Sequence, residues 1–114
     1  MDKQLEQRLH ALELCLLRLA APADEQAAYL EKLGVSPSAD ELALEFDDSL
    51  AGLPVLVEKR LLTPRQAELV YAVDRRLTQM SEQQTLWTEE ALHHHQDWAQ
   101  IRELAALSLR EMAA

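Results

Sequence analysis

Apolar residues recur along this chain at steps of three and four, the spacing that lines one face of an α-helix. Leu5, Leu9, Leu12, Leu16 and Leu19 form the first such stripe. They predict a helix over about 2–21, with Asp2 as its N-cap and Pro22 as its stop. Leu14 and Leu17 widen the stripe, so this helix is expected to pack on two sides. A short helix is expected over 23–33, with Ala27, Leu30 and Leu33 inward and Gly34 ending it. Ser36-Pro37-Ser38 reads as a surface turn. Ser38 with Glu41 three residues on has the capping-box pattern and opens a helix over 39–51, buried through Leu42, Phe46 and Leu50. Gly52 ends that helix, and Pro54 suits the first turn of a short helix reaching Leu62. Thr63, Pro64 and Gln66 repeat the logic for a helix over 64–80 that buries Val70, Val73, Leu77 and Met80. Arg65, Arg75 and Arg76 fall on its other faces. After a polar linker, Thr88 caps a last helix over 88–112 whose stripe is Trp98, Ile101, Ala105 and Met112, with Leu104 at its edge. Trp87 and Leu92 are placed to staple its start, and Glu89 and Glu90 suit the positive end of its dipole. The expectation is an all-α fold, a compact antiparallel bundle of five to six helices in a single domain over 1–114.

Composition supports the helices. Leucine and alanine dominate, and there are one Phe and two Gly in 114 residues. The β-branched and aromatic residues that sheets favour are scarce, and two glycines are too few for the turns of a sandwich or barrel. A chain this short builds one core. Cys15 is the single cysteine and lies in an apolar helical stretch, so a buried free thiol in a reducing compartment is expected. No basic stretch followed by an apolar run opens the chain, and no apolar run approaches the roughly 20 residues of a membrane span. Cytoplasmic residence without membrane contact is expected.

Charge changes the picture, because it is concentrated. Twenty acids face eleven bases, for a net −9. The segment 24–48 alone holds eight of those acids and a single base, Lys32, while the rest of the chain is nearly balanced. On the helix opened by Ser38, Glu41, Glu45 and Asp48 are spaced i, i+4, i+7, with Asp40 and Asp47 bordering them and the buried stripe opposite. Like charges so placed cost a helix a few tenths of a kcal/mol per pair. A ridge kept at that cost points to a cationic partner, the alternative being a solvated face that only aids solubility. The same charge repels phosphate backbones, so nucleic acid is not expected as a partner, and Arg65, Arg75 and Arg76 read as balancing Glu68 and Asp74.

Catalytic parts are missing. Cys15 has no helix N-terminus or glycine turn to activate it, and no phosphate cradle or nucleophile elbow occurs, so no enzyme is expected. Glu45-Phe46-Asp47-Asp48 lacks the alternation and bend glycine of a calcium loop. His93-His94-His95 invites a metal reading, since Glu90-x-x-His93 is the unit of carboxylate-bridged bundles, but those need a second such pair. His10 pairs only with Glu6, and His94 falls on the Trp98–Ile101 stripe as a half-buried edge residue. No cofactor or resident metal is expected. Trp87 and Trp98 read as core or cap anchors, Trp87 also suiting an interface.

The pattern Leu86-Trp87-Thr88, Ala91-Leu92 and Trp98-x-x-Ile101-Arg102-x-Leu104-Ala105, preceded by Glu45-Phe46-Asp47-Asp48, resembles small acidic helical immunity proteins of bacterial polymorphic toxin systems, of the contact-dependent inhibition and type VI secretion kind. The likeness spans about the last two thirds of the chain and rests on helix-packing residues. It implies a protein that binds and neutralises one cognate toxin domain, often a nuclease. Contact surfaces in such families diverge, so the resemblance assigns no binding residue, and the first helix and histidine triplet have no counterpart in it. The function expected is a stoichiometric inhibitor, monomeric or homodimeric, that binds a basic toxin domain through Asp40, Glu41, Glu45, Asp47 and Asp48. The alternative is a helical secretion chaperone, adaptor or self-associating regulatory protein joined through its first and last helices.

Overall fold

Most apolar stripes close into helices near where their spacing places them. The structure, a computed structural model, describes residues 3–34 and 38–113. The Asp2 cap and the Ser36-Pro37 part of the turn lie outside the described residues. Helix α1 (Lys3–Ala20) stops short of Pro22, whose carbonyl then accepts from Glu25 and Gln26 to start α2 (Ala23–Lys32). Beyond α2, Gly34 takes φ +72, a left-handed conformation that costs glycine nothing. Then come α3 (Asp40–Leu50), α4 (Leu53–Glu58) and α5 (Pro64–Met80). A 3-10 turn (Gln84–Trp87) leads to α6 (Glu89–His94) and α7 (Gln96–Ala113). The fold is all-α, with seven α-helices among the described residues. Helix α7 packs against both α1 and α5, α1 also packs on α3, and α2 rests on α6. The bundle measures 42 × 26 × 24 Å.

Thr63 and Gln66 form the expected capping box, side chain to backbone in both directions. The Ser38–Glu41 box does not form. Ala39 is the N-cap residue, and the Ser38 hydroxyl accepts from the Asp40 amide at 3.3 Å instead of from the Glu41 amide, which reaches only the Ser38 carbonyl. The reason is tertiary: Ser38 makes an isolated antiparallel bridge with Thr88, and the amide of the buried Ala39 donates to the Trp87 carbonyl. Helix α4 also ends earlier than expected. Arg60 adopts φ +66 there, so that Leu61 and Leu62 both donate to the Leu56 carbonyl and Leu62 is buried.

The last helix is two helices. His95 is extended (φ −84, ψ 134), its carbonyl accepts from Trp98 and its Nδ1 accepts from the Asp97 amide, so it starts α7 as an N-cap would. The break has a packing cause. In one continuous helix Leu92 would lie about 120° away from Trp98 around the axis, yet both are fully buried. The same break turns His94 out to solvent rather than onto the stripe.

Trp98 and Phe46 are the largest fully buried side chains. Trp98 donates from Nε1 to the Leu86 carbonyl at 2.6 Å and meets the Trp87 ring edge-on at 5.5 Å. Helix α1 does pack on two sides, but not through the leucines expected to do so. Leu12, Leu16 and Leu19 are buried, while Leu14 and Leu17 are exposed, as is Leu33 at the end of α2.

Candidate acidic docking face

Helix α3 lies with one flank against α1, and this placement divides the predicted acidic ridge. Glu45 turns toward α1 and α2, where Oε1 accepts from the Tyr29 hydroxyl at 2.6 Å and Oε2 from Arg18 Nη1 at 3.4 Å. The Arg18 guanidinium also sits 4.5 Å over the Tyr29 ring. Burial and the Glu45 carboxylate together push the Tyr29 phenol up to about 12. Glu45 therefore ties three helices together and is not a free docking charge. Its backbone carbonyl accepts from the Cys15 thiol, which burial pushes above the ordinary thiol range. Cys15 is buried and protonated, as its apolar setting implies.

The solvent face of α3 is made by Asp40, Leu44, Asp47 and Asp48, with Glu41 half-buried at its margin. Asp40, Glu41, Asp47 and Asp48 make no ion pair among the described residues. Leu44 lies among these carboxylates, 57 % exposed. It is out of phase with the buried Leu42–Phe46–Leu50 stripe, which is the signal by which the sequence marks it.

Leu44 also forms one wall of an open groove of about 610 Å³ between α3 and the 3-10 turn, shared with Asp40, Ala43 and Trp87. The groove continues toward α5, where Ala43, Leu44 and Trp87 are joined by Asp47 and Asp74. Trp87 is held in place by its Nε1 donating to the Met80 carbonyl and by its packing on Trp98. It is core and groove wall at once. Asp74 lies on the neighbouring helix, and its carboxyl is pushed above the usual range first by desolvation and then by the charge of Asp47. No pattern within α5 singles Asp74 out, since it joins the site only when α5 is laid beside α3.

The histidine triplet does not converge. His93 places Nδ1 2.9 Å from the Glu89 carbonyl and Nε2 3.1 Å from Asp24. Both partners are acceptors, so the imidazolium satisfies both, and the His93 pKa is raised, chiefly by the Glu89 carbonyl. His95 instead caps α7. Among the described residues no three His, Cys, Asp or Glu side chains gather to hold a metal ion. No helix among them is long and apolar enough to cross a membrane.

A polar hub joins the helix ends elsewhere in the bundle. Gln26 is buried and donates from Nε2 to the Arg18 and Leu19 carbonyls, closing the end of α1, while its Oε1 accepts from Arg102 Nη1. Arg102 also donates to the Leu92 carbonyl, and burial lowers its pKa. This hub is architecture, and sequence periodicity gave no hint of it. Comparisons with family models, curated proteins and solved structures yield no match to this chain.

Proposed function

We propose that the chain is a stoichiometric protein inhibitor, an immunity protein, that binds a basic toxin domain through the solvent face of α3 and acts by occluding that domain rather than by catalysis. One observation carries the reading: Asp40, Asp47 and Asp48 stand exposed around an exposed leucine, without ion-pair partners among the described residues, on a helix whose other faces are packed. Solubility alone accounts for the carboxylates but not for the placement of Leu44, 57 % exposed, among them and at the mouth of a groove. An acidic surface with an apolar anchor is what a basic substrate cleft accommodates, charge pairing setting the association rate and the anchor the lifetime. Glu45, bound to Arg18 and Tyr29, positions α3 instead of meeting the partner.

The test is to recover the basic partner by pull-down with the intact chain, then reverse Asp40, Asp47 and Asp48 to Lys and measure binding to that partner at low and high salt. Glu45 is left intact because its loss would loosen α3 from α1. Association is expected to slow by at least about tenfold and to lose most of its salt dependence. Unchanged affinity and unchanged salt dependence would overturn the proposal. A self-associating regulatory protein is the second reading, and exposed Leu14 and Leu17 beside a shallow cleft with Tyr29 favour it. Light scattering separates the two, since that reading requires a dimer that Leu17→Ser dissociates.

A further inference from the structure

The acidic face of α3 does not end at its own helix. It passes over Leu44 into the groove walled by Ala43 and Trp87, and across that groove Asp74 faces the same space as Asp47. Apolar side chains thus floor a channel rimmed by carboxylates from two helices. We propose that this groove receives one amphipathic helix of a basic protein, an apolar side chain of which enters over Ala43, Leu44 and Trp87 while a lysine or arginine reaches between Asp47 and Asp74. The inference rests on the basic-partner reading above and names the form in which that partner binds.

Three features select this occupant. Asp47 and Asp74 line one groove with no ion-pair partner among the described residues, so a cation placed there meets two carboxylates at once. Desolvation and then the charge of Asp47 raise the Asp74 pKa, against the lowering effect of Arg75, and a cation between the two carboxylates offsets the Asp47 charge. Leu44 and the half-buried Trp87 ring present apolar surface that charge pairing alone would leave wet. Finally, the groove is walled by α3, α5 and the 3-10 turn, and the described residues contain no strand whose edge an extended segment could join. A helix brings its backbone groups already paired and needs only side-chain contacts, the arrangement of helix-in-groove recognition.

The experiment uses the intact chain and a synthetic amphipathic helical peptide with leucine and arginine on one face. One control peptide has glutamine for leucine, and another has glutamine for arginine. Binding is followed by backbone NMR shifts. The parent peptide is expected to shift α3, Trp87 and the end of α5, and either control to bind at least about tenfold more weakly. Leu44→Ser and Asp74→Asn, both at solvent-accessible positions, are each expected to weaken the parent about tenfold while circular dichroism stays unchanged. If Leu44→Ser and the leucine-free peptide bind like their parents while Asp40→Lys and Asp48→Lys abolish binding, the groove inference is wrong and the acidic-face reading survives. Failure of all three peptides to bind overturns the groove inference. The basic-partner reading falls with it only if charge reversal also leaves binding of the toxin domain unaltered. Self-association of the free chain that Leu44→Ser removes would assign the groove to a second copy and overturn the proposal as well.

Discussion

Asp74 shows how a single carboxylate is affected by a charge on another helix. Desolvation and Asp47 raise its pKa in the folded state above the ordinary carboxylate value. The sign of the resulting linkage follows from proton counting. Between the unfolded and the folded pKa the native state holds more protons, so stability falls as pH rises through that window and stays reduced above it. Asp74→Asn is therefore expected to stabilise the protein modestly at pH 7. The gain should vanish at a pH below both pKa values, and urea unfolding at the two pH values measures it. Because the same substitution is expected to weaken helix binding in the groove, Asp74 is a position where stability and docking oppose each other.

At the scale of the element, caps and breaks divide into those set by local chemistry and those set by neighbours. The Thr63–Gln66 box needs only residues three apart and forms as the sequence indicates. The end of α4 is different. Arg60 occupies a left-handed conformation because burying Leu62 requires the chain to turn there, and an L-residue pays for that backbone with about 1–2 kcal/mol. Glycine removes the clash but loses more entropy on folding. Arg60→Gly, at an exposed position, is thus expected to raise stability by up to about 1 kcal/mol, seen as a higher midpoint of chemical unfolding. A fall in the midpoint would mean that the Arg60 side chain contributes more than its backbone strain costs. The division of the last helix at His95 follows the same logic, since Leu92 and Trp98 both belong in the core and a straight helix cannot present both to it.

Across the whole molecule, two polar constellations hold the helices in the arrangement that exposes the α3 face. Arg18, Tyr29 and Glu45 join α1, α2 and α3, and Gln26 with Arg102 joins the end of α1 to α2, α6 and α7. Gln26→Ala is expected to cost about 2 kcal/mol, because it removes the side-chain partner of the buried Leu19 carbonyl and of one Arg102 donor and leaves the Arg18 carbonyl only its bond from the Ala21 amide. Thermal or urea denaturation measures the loss. Binding through α3 should persist, since Gln26 lies away from the groove. If Gln26→Ala weakened binding as much as Leu44→Ser while the fold held, the hub would be coupled to the docking face.

The all-α class, most helices and the stripe leucines of the core were determined by the sequence itself, because a helix is closed by bonds four residues apart and its buried face repeats at the same short range. Leu12, Phe46, Val70 and Ile101 could be placed inside for that reason alone. The concentration of acid in segment 24–48 was equally a property of sequence. Which of those acids stay free was not. Glu45 shares a helix and a charge with Asp48, yet one ties α3 to its neighbours and the other faces solvent, because the rotation of α3 is set by its packing on α1. Leu14 and Leu17 fell outside the core, and Leu44 and Asp74 came to border one groove, for the same physical reason. Local bonding decides that a helix forms, while the burial of surfaces far apart in the chain decides which way it turns.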